Sequence, residues 1–117
     1  MISQFIPRSL AVRNAAHLAH WSTRSDAQHR ALQAFYEGLL DGLDEYVECY
    51  QGNFGLVQVE GQVEASSADI LHTLKTEVVW LEDNRDGIAN GVKALDALLD
   101  DLVNLYLKTI YKLENLS

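Results

Sequence analysis

The feature that most constrains this chain is an uninterrupted helical period from Ala27 to Gln51. Apolar side chains there recur every three or four residues for about six turns, so they share one side of a helix. They are Leu32, Phe35, Tyr36, Leu39, Leu40, Leu43, Tyr46, Val47 and Tyr50. Ser25 or Asp26 can cap the start of this helix, and Gly52 can end it. Because so long an apolar stripe must be covered by other helices, the pattern favours an all-α fold.

Three further amphipathic helices are predicted from the same periodicity. The first begins near Arg8, since Pro7 can open a helix but would break one further in, and it continues to Trp21. Ser66 or Ser67 can cap a third helix, and the fourth covers residues 92–116. Four helices of this length predict a four-helix bundle, and 117 residues fit a single domain over residues 1–117.

Residues 56–63 change from a helical period to an alternating one. Val57, Val59 and Val63 alternate with polar residues, as in a short half-exposed strand. A single strand has no partner in this chain. The segment is therefore either an extended connector between the second and third helices, or a strand that pairs with its copy in another subunit.

Composition and charge exclude several classes of protein. Nine basic against seventeen acidic residues give a net charge of −8, so we expect no appreciable binding to nucleic acid. No apolar run is long enough to cross a membrane, and we expect no secretion signal. A lone Cys49 cannot form an internal disulfide, which fits the cytoplasm as the default location. No phosphate-binding glycine loop, paired cysteine motif or nucleophile elbow is present, which disfavours those enzyme classes.

Acidic residues concentrate on the second predicted helix. Residues 31–69 hold eight acids and no base. By helical geometry His29, Asp44 and Glu48 lie along one flank of the apolar stripe, with Gln33 and Glu37 between them. Asp44 and Glu48 are one turn apart, so their oxygens can converge on a cation. A solvated acidic face and a metal site both remain open at this point.

One segment resembles the signature of the DNA-binding proteins from starved cells, the miniature ferritins. The motif is AHLAHW at 16–21 followed by His29, Asp44 and Glu48. The resemblance covers residues 10–52 and implies a ferritin-like bundle with an iron site across a dimer interface, in which His20, His29, Asp44 and Glu48 are ligands. Gln33 stands where that family has an acidic residue, so we expect metal binding without fast iron oxidation. The family's lysine-rich tail has no counterpart, and DNA binding is not implied.

A second resemblance covers most of the chain. The stretches AHLAHW, DAQHRALQAFYEGL, DEYVECYQGNFG and LYLKTIYKLENL are similar to a family of short helical proteins of tailed bacteriophages, to which no function is assigned. This implies action in the cytoplasm of an infected bacterium.

Two functions follow as expectations. The first is a ferritin-like phage protein, a homodimer or larger homo-oligomer, that binds iron or zinc through His20 of one subunit and His29, Asp44 and Glu48 of the other. At most weak ferroxidase activity is expected, and no catalytic residue is assigned. The alternative is a non-enzymatic helical oligomer that binds a host protein or a small signalling molecule, with the histidines serving only in packing.

Overall fold

The computed structural model describes residues 1–59, 63–66 and 68–117, and all its regular structure is helical. The helices are α1 (Ile2–Ser22), α2 (Asp26–Phe54), α3 (Ile70–Asp83), α4 (Arg85–Ala89) and α5 (Lys93–Asn115). The predicted all-α class is therefore confirmed. Among the described residues no helix is both long enough and apolar enough to span a membrane.

The first helix begins earlier than its sequence predicts. α1 starts at Ile2 and contains Pro7, so the predicted start near Arg8 is wrong. A proline in the second turn loses one backbone hydrogen bond and costs roughly 3 kcal/mol. Phe5 and Ile6 lie in the core, and burying two such side chains contributes a similar or larger amount, about 1.5 to 3 kcal/mol each. Tertiary packing of the first turns therefore outweighs the local cost of the proline.

Local capping chemistry explains the starts of α2 and α3, whereas the predicted end of α2 at Gly52 is wrong because the helix continues to Phe54. Ser25 caps α2 as predicted, because its hydroxyl oxygen accepts a hydrogen bond from the backbone N–H of Gln28. The cap of α3 is Asp69, whose carboxylate accepts from the N–H of His72 at 3.2 Å. The predicted cap Ser66 is therefore wrong, and Ser67 lies outside the described residues.

The connector between α2 and α3 is only partly described. Residues 56–59 and 63 form no strand, so the predicted strand is wrong there, and residues 60–62 lie outside the described part of the chain. The described residues provide no partner strand; Val57 instead lies against the helical core, while Val59 and Val63 are exposed. Pairing of this segment between subunits stays a prediction.

The four long helices contact one another in a cyclic order. α1 packs against α2 and α3, and α5 packs against the same two helices. In each contact the start of one helix lies beside the end of the other: His20 stacks on His29, and Lys75 pairs with Glu114 at 3.0 Å. Neighbouring helices are therefore antiparallel, so α1 and α5 point one way while α2 and α3 point the other way.

The connector consequently joins opposite ends of the helices. The last turns of α2 lie beside the start of α1, where Val47 and Ile6 line one groove. The first turn of α3 lies beside the end of α1, where Ile70 and Ala19 line another. Residues 55–69 therefore link two helices that are parallel to each other.

Two glycines allow α2 and α5 to approach closely. A Cβ on Gly42 would lie 2.6 Å from Cδ2 of Leu102, and one on Gly38 would lie 3.2 Å from Cδ2 of Leu105. The leucine side chains fill the space that a side chain larger than that of glycine would need at these positions. α2 and α5 therefore approach closely at these two glycines.

Candidate functional site

Two histidines meet where α1 ends and α2 begins. Nδ1 of His20 lies 2.7 Å from the backbone oxygen of His29, and Nδ1 of His29 lies 2.8 Å from the backbone oxygen of His20. The two rings stack with centroids 3.6 Å apart and planes 20° apart. Because a carbonyl oxygen can only accept, each Nδ1 must carry a proton and donate it.

This reciprocal bonding fixes the tautomer of both rings. In a neutral imidazole with Nδ1 protonated, Nε2 holds a free lone pair. Histidine ligands of metals characteristically donate their other ring N–H to a backbone carbonyl or carboxylate, as His20 and His29 do here. We call these two residues the histidine pair. The chain itself therefore fixes the position of each ring and leaves its Nε2 without a hydrogen-bond partner among the described residues.

A third histidine completes an aromatic cluster beside the pair. The ring of His17 stacks on Tyr36 with centroids 4.1 Å apart and lies 4.3 Å from Trp21. Burial lowers the pKa of His17 below its ordinary value of 6.5, and the positive charge of Arg13 lowers it further. Trp21 itself is 68% exposed. The sequence prediction omitted His17 from the site, although its spacing of three from His20 was a usable signal.

The two predicted carboxylates lie elsewhere on α2. Asp44 and Glu48 are exposed and line a groove of about 440 Å³ between α1, α2 and the connector. The other residues that line this groove are Ile6, Leu10, Leu43, Val47, Val57 and Val59. At 1.5 Å of rise per residue, Asp44 lies about 22 Å from His29 along α2. We call Asp44 and Glu48 the carboxylate pair.

The structure thus places the four predicted ligands in two separate pairs. His20 meets His29, and Asp44 lies one turn from Glu48, but the two pairs are too far apart to share one ion within a chain. Across residues 1–59, 63–66 and 68–117, no three His, Cys, Asp or Glu side chains converge as metal ligands. A site with all four residues therefore requires a second copy of the chain.

The sequence prediction missed a buried ion pair between α1 and α3. Glu77 is 4% exposed, and both its oxygens accept hydrogen bonds from Arg8, at 3.1 and 2.8 Å. The guanidinium group also lies 4.2 Å from the ring of Trp80. Glu77 shares a helix face with Leu74 and was therefore recognisable as an acid on an apolar side. Since Arg8 holds both of its oxygens, this carboxylate is not available as a metal ligand.

These observations define an all-helical protein that has a histidine pair near the start of α2 and a carboxylate pair further along the same helix. The sequence matches the family of unknown function DUF5856 over residues 20–113, and the protein belongs to that family. The matched range contains the histidine pair and the carboxylate pair. No curated protein and no solved structure matches the chain.

Proposed function

We propose that this protein is a ferritin-like four-helix bundle that binds a divalent metal ion, iron or zinc, at the interface of a homodimer. The helix directions support the bundle. Four long helices pack in a cycle, neighbours are antiparallel, and one long connector joins the parallel helices α2 and α3. A single long crossover of this kind distinguishes ferritin-like bundles from bundles in which all connections are short.

The ligands of one ion come from both subunits. The sequence expectation grouped His29 with Asp44 and Glu48 in one subunit, but the 22 Å between them, estimated from the helical rise, requires a different grouping. We assign to each ion the histidine pair of one subunit, with one of its Nε2 atoms as the nitrogen ligand, and the carboxylate pair of the other. The reciprocal hydrogen bonding of His20 and His29 is the observation that carries the proposal, because it leaves both Nε2 atoms free.

A two-fold axis satisfies this assignment. The axis would run within the interface between the two copies, at right angles to α2. It would pass the outer surface of α2 at the level of Tyr36 and Glu37. It would place His29 of each subunit at the level of Asp44 in the other, giving two equivalent sites per dimer. The same rotation would bring Arg24 to the level of Glu48, which pairs unlike charges across the interface.

The donor set indicates what such a site would do. Imidazole nitrogens and carboxylate oxygens together suit iron and zinc. Rapid oxidation of iron by oxygen needs enough carboxylates to bridge two metals. One turn from His29 the side chain is Gln33, whose amide donates to Glu37 at 3.1 Å. We therefore propose metal binding with little ferroxidase activity.

The cellular setting is also a proposal. Action in the cytoplasm of an infected bacterium rests on the resemblance of the sequence to short helical proteins of tailed bacteriophages. The alternative function, binding of a host protein or a small signalling molecule by a helical oligomer, stays a prediction from the sequence.

The proposal is tested first by thermal melting with and without Fe²⁺, Zn²⁺ or Mn²⁺. At one hundred times the dissociation constant, the ion should stabilise the protein by about 2.7 kcal/mol. His29→Ala should abolish the shift in melting temperature and Asp44→Asn should weaken it. Glu45→Gln is the matched control, since Glu45 is exposed and lies off the ligand flank. The proposal fails if no ion shifts the wild-type melting temperature.

Mixing two defective variants tests the sharing of ligands between subunits. Each pure dimer of His29→Ala, or of Asp44→Asn, has both sites damaged. A mixed dimer has one site with both defects and one site that is intact. Metal binding measured by isothermal titration should therefore return to about half of the wild-type stoichiometry in the mixed dimers. If mixing restores nothing, the ligands of one ion do not come from two chains.

A further inference from the structure

The exposed indole of Trp21 lies at one end of the outer face formed by α1 and α2. A tryptophan that is 68% exposed leaves a large apolar surface in water, and such residues are typical of protein interfaces. At the other end of the same face lies the groove described above, with an apolar floor and the carboxylate pair at its edge. A protruding side chain and a groove on the same face can fit a second, antiparallel copy of that face, because each copy then places its Trp21 over the groove of the other.

The positions of the two features match the proposed axis. Contacts between α1 and α2 place His17 beside Tyr36 and Phe5 beside Tyr46. By these contacts, residue 16 of α1 lies at about the level where the axis crosses α2. Trp21 is about 8 Å from that level in one direction, and Leu10, which lines the groove, is about 9 Å from it in the other. The rotation that brings His29 to Asp44 therefore also brings Trp21 to the groove.

We propose that Trp21 of each subunit inserts into the groove of its partner and is the main apolar contact of the dimer. Its ring packs against Ile6, Leu10 and Val47, and its indole N–H, which can only donate, is directed to the carboxylates at the edge of the groove. The connector supplies one wall through Val57 and Val59, so this segment has a binding role. The inference rests on the dimer of the proposed function but does not require the metal.

A second copy is the occupant that the charges favour. At the Trp21 end of the face the turn after α1 holds Arg24, whereas the groove at the other end is edged by Asp44 and Glu48. An antiparallel arrangement brings the basic end of each face to the acidic end of the other, which favours this register over a parallel one.

The experiment uses fluorescence and sedimentation in the presence of EDTA. In a Trp80→Phe background Trp21 is the only tryptophan, and its emission should move to shorter wavelength as the protein concentration rises through the association range. Trp21→Ala should weaken dimerisation by about thirtyfold, the size expected for a tryptophan at the centre of an interface. Tyr111→Ala is the control, because Tyr111 is 60% exposed on α5, outside this face.

A second pair of variants tests the groove without disturbing the core. Val59→Asp places a charge in the groove at a residue that is 44% exposed, and it should weaken dimerisation strongly. Val79→Asp makes the same change at an exposed position on α3 and should leave dimerisation unchanged. Circular dichroism should show the same helix content for both variants.

The outcomes separate this inference from the proposed function. A dimer in which Trp21 remains solvent-exposed, and which Trp21→Ala and Val59→Asp do not weaken, overturns the inference and leaves the shared metal site standing. A dimer that depends on Trp21 but binds no ion supports the inference and removes the metal function. A monomer at all concentrations, with and without metal, overturns both.

Discussion

The two ends of the α1–α2 face differ in how their side chains are held. At one end, His20 and His29 bond to each other's backbone and stack, so the chain itself fixes their positions. At the other end, Asp44 and Glu48 make no hydrogen bond or ion pair with any residue of the described ranges. The contrast indicates that the histidine end contributes to the stability of the fold, whereas the side chains of the carboxylate end contribute little to it.

The largest expected effect comes from removing one side chain at each end. His20→Ala removes a ring that is 6% exposed, together with its stacking and hydrogen bond, and should lower the free energy of unfolding by about 2 to 3 kcal/mol. Asp44→Ala removes an exposed side chain that has no partner within the described ranges, and it should change the free energy of unfolding by less than about 0.5 kcal/mol. Urea denaturation in EDTA measures both. Equal losses for the two variants would contradict the contrast between the ends.

A smaller effect on stability is expected when a negative charge is added near the histidine end. Gln33→Glu places an acid one turn from His29, so the proposed site should bind metal more tightly. In EDTA the same variant should be less stable by roughly 0.2 to 0.5 kcal/mol, because Glu37 then lies four residues from a like charge. Ala34→Glu adds the same charge beside the flank and should not tighten binding. Titration calorimetry measures the metal affinity and urea denaturation measures the stability. An unchanged affinity would show that the histidine end takes no part in the metal site.

The sequence predicted those features that depend on local periodicity. The long stripe of α2 and its Ser25 cap are local features, and the structure has both. The start of α1 was not predictable from local rules, because burial of Phe5 and Ile6 compensates for Pro7. The alternation of Val57 and Val59 indicated a strand, but alternation shows only that one side of a segment is apolar, and a helix surface can cover that side as well as a sheet.

The candidate site shows the same limit. The residue types and the one-turn spacing of Asp44 and Glu48 were visible in the sequence. The stacking of His20 on His29 depends on where the turn between α1 and α2 falls, which periodicity places only approximately. The distance from His29 to Asp44 can be calculated from the sequence separation and the helical rise alone. Glu77 was harder to interpret, because its partner Arg8 lies 69 residues away in the sequence.

The smallest expected effect concerns the ionisation of His17 at the histidine end. Burial, and then the charge of Arg13, hold the pKa of His17 below 6.5, so the folded state favours the neutral ring. When the folded pKa lies below the unfolded one, stability is lost as the pH falls from about 6.5 toward the folded pKa. Titration by nuclear magnetic resonance should show the low pKa, and Arg13→Gln should raise it part of the way. Arg24→Gln is the control, because Arg24 does not contribute to this shift, and a pKa of His17 above 6.5 would show that the ring is solvated or paired with an acid.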